Sequence, residues 1–344
     1  MSRAAVYFVA SPLHYLAARR VALDHEAGAR QVLVCYRPSL AGMIDRAAWD
    51  AVVLMPWPRF DPLPGPFGRL RRTLDNLRTV AAAVGPCDEL HLHSPVYDTE
   101  AINYFLHALP RLCGARIRRA RILPDGLLNL QRHPLSAARR FAQRLRSLRR
   151  LVSPLLHYTG FDGDRIGSDA PFVDRIYQLA GFPNAYDPAR VCVLAPLVSA
   201  DSAAPAPAHR ALVLGQPLTG SGLIGEADRV QIAQAIATWL GGQGATEIHY
   251  KPHPREGSQG EFMQPGYLRL EIAEPLEAYL AREPYGLVAG CYSTALFTAR
   301  QIAGPGCRIA AFGLERVRFK GEEKRENVKS LMAALAIEMH SAAG

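Results

Sequence analysis

The strongest constraint on this chain is an alternation that runs through most of its length. Short runs rich in Val, Leu and Ile are separated by longer stretches with helical spacing. Residues 4–10, 31–36, 51–55, 89–93 and 119–123 read as strands, and Pro12–His25, 70–84 and 99–112 read as the helices between them. A helix after each strand returns the chain to the same end of the sheet, so neighbouring strands pair in parallel and the sheet is doubly wound.

The pattern stops at residues 199–209 (SADSAAPAPAH), a segment of Ala, Pro and Ser that reads as a linker, and then restarts. Strands are expected at Arg210–Leu214, 247–250, 267–272, 286–289 and Arg308–Phe312, with helices over 227–240 and 276–281, after residue 294, and over 322–340. At 344 residues the chain suits two domains of ~150 residues each. The expected division is 1–198 as an N-terminal acceptor-side domain, 199–209 as the linker and 210–321 as the C-terminal donor-side domain, with 322–344 as a helix that packs back on the N-terminal domain. The fold class is therefore α/β, with two Rossmann-like doubly wound domains facing a cleft.

Ligands of open α/β sheets bind beyond the carboxyl ends of the strands, and four strand ends here carry reactive side chains. Lys251-Pro252-His253-Pro254 offers a point charge and a hydrogen-bond donor on a proline-stiffened loop, suited to a phosphate; as a bare pattern it is also a common turn. Gly290-Cys291-Tyr292-Ser293-Thr294 opens a helix, where hydroxyls and free N–H groups form an anion site or simply a helix cap. Pro124-Asp125-Gly126 places a carboxylate as a general base or as an ordinary turn. Glu274-Pro275-Leu276-Glu277 offers carboxylates to ribose hydroxyls or a base amine, or only to a helix dipole.

Taken in order, these motifs resemble the bacterial sialyltransferase and polysialyltransferase group, which is similar in turn to transferases of other CMP-ulosonic acids, including Kdo. That group has the two-domain GT-B architecture and three signatures: an acidic pair before Gly, then His-Pro, then paired hydroxyl residues. Asp125-Gly126, His253-Pro254 and Ser293-Thr294 match them, and SPLHYLAA from Ser11 and LGQPL around Gly215 and Gln216 resemble flanking segments. The resemblance implies an inverting transfer of sialic acid, or a related nonulosonic acid, from its CMP-activated form to a hydroxyl of a glycan or lipid-linked acceptor. It implies Asp125 as base, with Lys251, His253, Pro254, Ser293 and Thr294 on the leaving phosphate. Ser11, Gly215, Gln216 and Glu277 are then donor contacts, with Glu277 on the cytidine, and no metal or other cofactor is required. One position departs from the pattern: the first acid of the pair is Pro124. If the base belongs there, His14 or His93 are candidates, and both, with Gly126, are otherwise candidate substrate contacts. Kdo transfer from CMP-Kdo and a GT-B transferase or epimerase acting on UDP- or GDP-sugars are the competing enzyme readings.

The formal net charge of +9 favours an anionic partner. Residues 134–156 are the basic centre of this excess. Phe141, Leu145, Leu148 and Val152 fall on one face of a helix otherwise crowded with Arg, which reads either as a helix lying on an anionic membrane surface or as a surface helix packed by its apolar stripe. No nucleic-acid-binding signature is visible, so nucleic acid is not an expected partner and a non-catalytic binding protein is the outlying reading. No two of the six cysteines form a CxxC pair, Asp162-Gly163-Asp164 follows no strand and reads as a turn, and no apolar run reaches the ~20 residues of a membrane span. A cytoplasmic protein, peripheral on the inner membrane, is the expectation.

Overall fold

A computed structural model describes residues 2–125, 132–197, 206–253, 255–257, 259–272, 276–303, 306–319 and 321–342. Gly126, Pro254, Glu274 and most of the expected linker lie outside the described residues. The chain divides into two units: Met1–Leu179 with Asn184–Ala195, and Ala180–Pro183 with Pro196–Gly344.

The first unit is built on seven parallel strands: β1 Arg3–Val9, β2 Arg30–Cys35, β3 Ala51–Leu54, β4 Glu89–Ser94, β5 Ile117–Ile122, β6 Val173–Gln178 and β7 Val191–Val193. Their order is β3-β2-β1-β4-β5-β6-β7, so the winding reverses between β1 and β4. The helices are α1 Pro12–His25, α2 Gly68–Val84, α3 Glu100–Asn103, α4 Phe105–Cys113 and α5 Ala137–Ser147. Successive side chains leave a strand on opposite faces. Val6, Phe8, Val32, Val34, Leu90 and Leu92 accordingly pack with Leu77 and Val80 of α2 and Leu106 and Leu109 of α4 in an apolar core.

The alternate residues of the same strands hold polar groups that are equally buried. The Glu26 carboxylate, fully buried just past α1, receives His91 Nδ1 at 2.9 Å, lies 3.2 Å from His93 Nε2 and pairs with Arg121. Arg121 also reaches Asp174 at 3.1 Å. Burial alone would raise the Glu26 pKa; hydrogen bonds from His91 and His93 and the Arg121 charge more than offset this and hold it well below the usual carboxylate range. Burial keeps the His93 pKa below its ordinary value. Arg3 of β1 lies 3.7 Å from the same carboxylate, and a charge left unpaired in such a place is strongly destabilising, so this cluster ties β1, β4, β5 and β6 to the end of α1.

The second unit repeats the plan with β8 Arg210–Leu214, β9 Glu247–Lys251, β10 Leu268–Arg269, β11 Leu287–Gly290, β12 Arg308–Phe312 and β13 Glu338–His340. The order is β10-β9-β8-β11-β12-β13, all parallel, with the reversal between β8 and β11. Helices α6 Glu226–Gly242, α7 Leu276–Arg282, α8 Thr294–Ile302 and α9 Glu322–Ala334 connect them. Ala211, Val213, Ala289 and Phe312 of the sheet pack against Ile232, Ile236 and Leu240 of α6.

Two expectations are corrected here. The final helix does not reach residue 340: it ends at Ala334, Ala336 takes the left-handed conformation (φ 51°), and the chain turns into β13, with His340 opposite Phe312. The stretch 322–342 is thus an integral helix and strand of the second unit, not an appended helix. The boundary is also not a single cut, because residues 180–183 belong to the second unit, where Gln301 Nε2 donates to the Ala180 carbonyl at 3.1 Å.

Candidate functional site

In the first unit the residues of interest follow β1 and β5. Ser11 holds an extended backbone (φ −142°, ψ 159°), and its hydroxyl accepts the His14 N–H at 3.2 Å, while Pro12 fills the first helical turn of α1. This cap fixes the buried His14 ring. Its Nδ1 accepts the Ala10 N–H at 3.3 Å and its Nε2 lies 2.8 Å from Asp125 Oδ1. An amide N–H can only donate, so the imidazole proton sits on Nε2 and is given to the carboxylate. The neutral ring therefore has no lone pair left for a substrate, whereas the Asp125 side chain is 35% exposed and can accept a proton. Burial, and then the nearby Asp125 charge, raise the Tyr36 pKa, which keeps that hydroxyl protonated beside the carboxylate.

His93 is not a substrate contact. Its side chain is fully buried, stacked between Tyr7 (4.5 Å between ring centres) and Tyr177 (6.0 Å), within the Glu26 cluster. Of the two histidines proposed as alternative bases, one is locked in the core and the other serves Asp125. The Asp162-Gly163-Asp164 stretch is not a simple turn: the chain bends at Gly163, and Asp164 pairs with Pro134 in an isolated antiparallel bridge, its buried carboxylate accepting the N–H groups of His133 and Ile166 at 2.8 and 3.0 Å.

In the second unit the loops after β8, β9 and β11 are stitched together. The Glu256 carboxylate accepts the Gln216 N–H at 3.0 Å, the His253 N–H at 2.7 Å and the Tyr250 hydroxyl at 2.7 Å. The Gln216 side-chain amide closes the other side: its Oε1 accepts the Tyr292 N–H at 2.9 Å and its Nε2 donates to the Tyr292 carbonyl. A Cβ at Gly215 would collide with the Glu256 carboxylate and lie 2.5 Å from the Tyr250 oxygen, so a larger residue there would have to displace the side chains that fasten these loops. β9 and β11 flank β8, so His253 and Ser293 leave strands two spacings, about 10 Å, apart.

Within this frame His253 Nδ1 accepts the Arg255 N–H at 3.1 Å, which puts its proton on Nε2 as a donor. Ser293 caps α8 by accepting the Ala295 N–H at 3.2 Å, and Thr294 stands exposed in the first turn. Lys251 is less well aimed: its ammonium bonds the Pro252 carbonyl at 3.3 Å, and burial lowers its pKa. Glu277 opens α7, where burial raises its pKa, so a hydrogen-bond donor brought by a ligand would stabilise its charge. Glu256 was not expected from sequence; its only signal is an acid shortly after a strand end, opposite a glycine that ends another. Among the described residues no group of three His, Cys, Asp or Glu is placed to hold a metal ion.

Residues 193–305 match the family model described as alpha-2,8-polysialyltransferase (POLYST). The second unit is polysialyltransferase-like. That stretch contains Gly215, Gln216, Lys251, His253, Glu277, Ser293 and Thr294; the His14–Asp125 pair lies outside it and stands on geometry alone. Among solved structures, the UDP-GlcNAc 2-epimerase of Methanocaldococcus jannaschii aligns over 98% of this chain and 92% of its own, with a TM-score of 0.51 and 10% identity. The glycosyltransferase of kitacinnamycin aligns over 100% and 86%, with a TM-score of 0.49 and 16% identity. Acinetobacter baumannii MurG aligns over 99% and 86%, with a TM-score of 0.45 and 11% identity. What the epimerase shares with this chain is fold alone, and two parallel-sheet Rossmann-like units are the GT-B architecture. Among curated proteins no sequence matches the chain.

Proposed function

We propose that this polysialyltransferase-like chain is an inverting glycosyltransferase that moves a sialic acid, or a related nonulosonic acid, from its CMP-activated form to a hydroxyl of a glycan or glycolipid. The observation that carries the reading is the stitched trio of loops in the second unit, which presents the His253 Nε2–H and the hydroxyl-capped start of α8 at the sheet's winding reversal. The family match over the same loops supports it.

In this mechanism Asp125 takes the proton from the acceptor hydroxyl, and His14 is a positioning residue that holds the carboxylate by its Nε2–H. The acceptor oxygen forms a bond to the anomeric carbon on the face opposite the nucleotide, and the bond from that carbon to the phosphate oxygen breaks. Negative charge grows on the departing CMP phosphate. His253, Thr294 and the N-terminus of α8 are the groups that meet it, with Lys251 able to swing in from the Pro252 carbonyl. Glu277 accepts hydrogen bonds from the cytidine. CMP is a good leaving group, so the scheme routes no step through a metal.

A thermal-shift panel tests the nucleotide. CMP is expected to stabilise the chain, by about 2.7 kcal/mol at a hundredfold excess over Kd, with UDP and GDP weaker. Stabilisation by UDP but not CMP would overturn the proposal in favour of a UDP-sugar enzyme. Transfer assays with CMP-sialic acid and CMP-Kdo against a glycan panel then separate the two donors.

A further inference from the structure

The basic segment after residue 134 faces the opposite way from an ordinary surface helix. Arg139 and Arg146 of α5, and Arg149 just past it, turn toward the protein, where Arg139 reaches the buried Asp98 at 2.6 Å, Arg146 reaches Glu100 at 3.5 Å and Arg149 pairs with Glu100. The apolar stripe is left outside. Phe141 is 61% exposed, Leu145 52%, Leu148 54%, Leu151 81% and Val152 68%. A stripe of this size on water is costly, by about 25 cal/mol per Å2 of apolar surface, and a globular unit ordinarily packs it inward.

Beside this ridge lies a pocket of about 680 Å3, bounded by the loop after β3, the start of α2, α3 and the α5 segment. Six arginines line it, Arg59, Arg69, Arg139, Arg146, Arg149 and Arg165, against the carboxylates of Asp98 and Glu100. The two acids are taken up by arginines of the α5 segment. Arg59 and Arg69 are exposed with no acidic partner among the described residues, and the buried Nε of Arg165 has no hydrogen-bond partner there. Val152 and Phe67, the latter 79% exposed, sit on the wall of the pocket, so the ridge and the cationic hollow form one continuous surface.

We propose that this surface seats the first unit on an anionic lipid bilayer, with the exposed apolar side chains entering the interface and the pocket arginines taking lipid headgroup phosphates. Two complementary features argue for a bilayer over another protein or a free anion. The surface pairs unneutralised guanidinium groups, which match phosphate, with apolar side chains exposed to solvent, and an anionic lipid interface offers both chemistries side by side. Arg140, Arg144 and Arg150, exposed along the same segment, extend the cationic rim. Among the described residues no helix is long and apolar enough to cross a membrane.

The test is flotation of the full chain with vesicles of phosphatidylcholine alone and with added phosphatidylglycerol. Binding is expected to be at least about tenfold stronger to the anionic vesicles and to persist in part at high salt, because the apolar contacts are not screened. The variant Leu148→Ser/Leu151→Ser/Val152→Ser, altered only at exposed positions, should keep its melting temperature and lose most of the salt-resistant binding. Arg59→Glu/Arg69→Glu should remove the preference for phosphatidylglycerol. No flotation, equal flotation of the triple-serine variant, or a vesicle-free dimer that the triple-serine variant dissolves would each overturn the proposal. The last result would assign the ridge to a second copy of the chain. The readout needs no sugar transfer, so its outcome is independent of the proposed reaction.

Discussion

The two units carry their candidate residues on the same kind of strand ends but hold them differently. In the second unit three loops are fastened to each other by Glu256 and Gln216, through backbone amides and a carbonyl, so the backbone itself is set. In the first unit Asp125 is steadied by a side chain, His14, whose own orientation depends on the Ser11 cap and the Ala10 amide. The rigidity of the first unit lies deeper, in the Glu26 cluster. A backbone-fastened site suits an invariant nucleotide, and a site fastened through side chains suits the less uniform partner.

The contrast can be broken from either side. Asp125→Asn should have the largest catalytic effect, a loss of transfer of about 10²–10⁴-fold with CMP binding and melting temperature unchanged; full turnover would move the base elsewhere. Glu26→Ala should destabilise the first unit by about 3–5 kcal/mol, measured by denaturant unfolding, with little change in CMP affinity. The same cluster sets an acid limit. His93 is held neutral, so stability should begin to fall below about pH 6.5 as the unfolded chain takes up that proton; Glu26 has a lowered pKa, so its contribution should go below about pH 4.3. An unfolding free energy flat from pH 7 to 4 would contradict this. His253→Ala should cost about 10²–10³-fold in turnover and leave the fold intact. Glu256→Gln should be the mildest, weakening CMP binding by about tenfold through lost charge-assisted bonds; a loss confined to acceptor affinity would show that the loops after β8 and β9 do not serve the nucleotide.

The alternation of apolar runs and helices made the two sheets legible, and the strand-end rule led to Asp125, His253 and Ser293. The strands it missed have identifiable reasons. β6 carries Asp174 and Arg175, which disguise it as surface; β7 is three residues long; β13 follows α9 too closely to separate from it. His93 misled because ELHLH places alternate histidines on a polar face, and sequence cannot distinguish a polar face turned to solvent from one buried against Glu26. Glu256 was illegible because its importance lies in which amides it meets. The α5 segment showed its stripe clearly, but not the partners Asp98 and Glu100, which decide which side turns inward.

The Glu26 cluster also bears on how the polypeptide is made. Translation delivers Glu26 and Arg3 early, His91 and His93 later, and Arg121 and Asp174 only after most of the first unit has left the ribosome. Until then the middle of the sheet would have to bury a carboxylate with only the more distant Arg3 guanidinium, 3.7 Å away, and without Arg121, so nascent chains cut short before Arg121 should stay open to proteases.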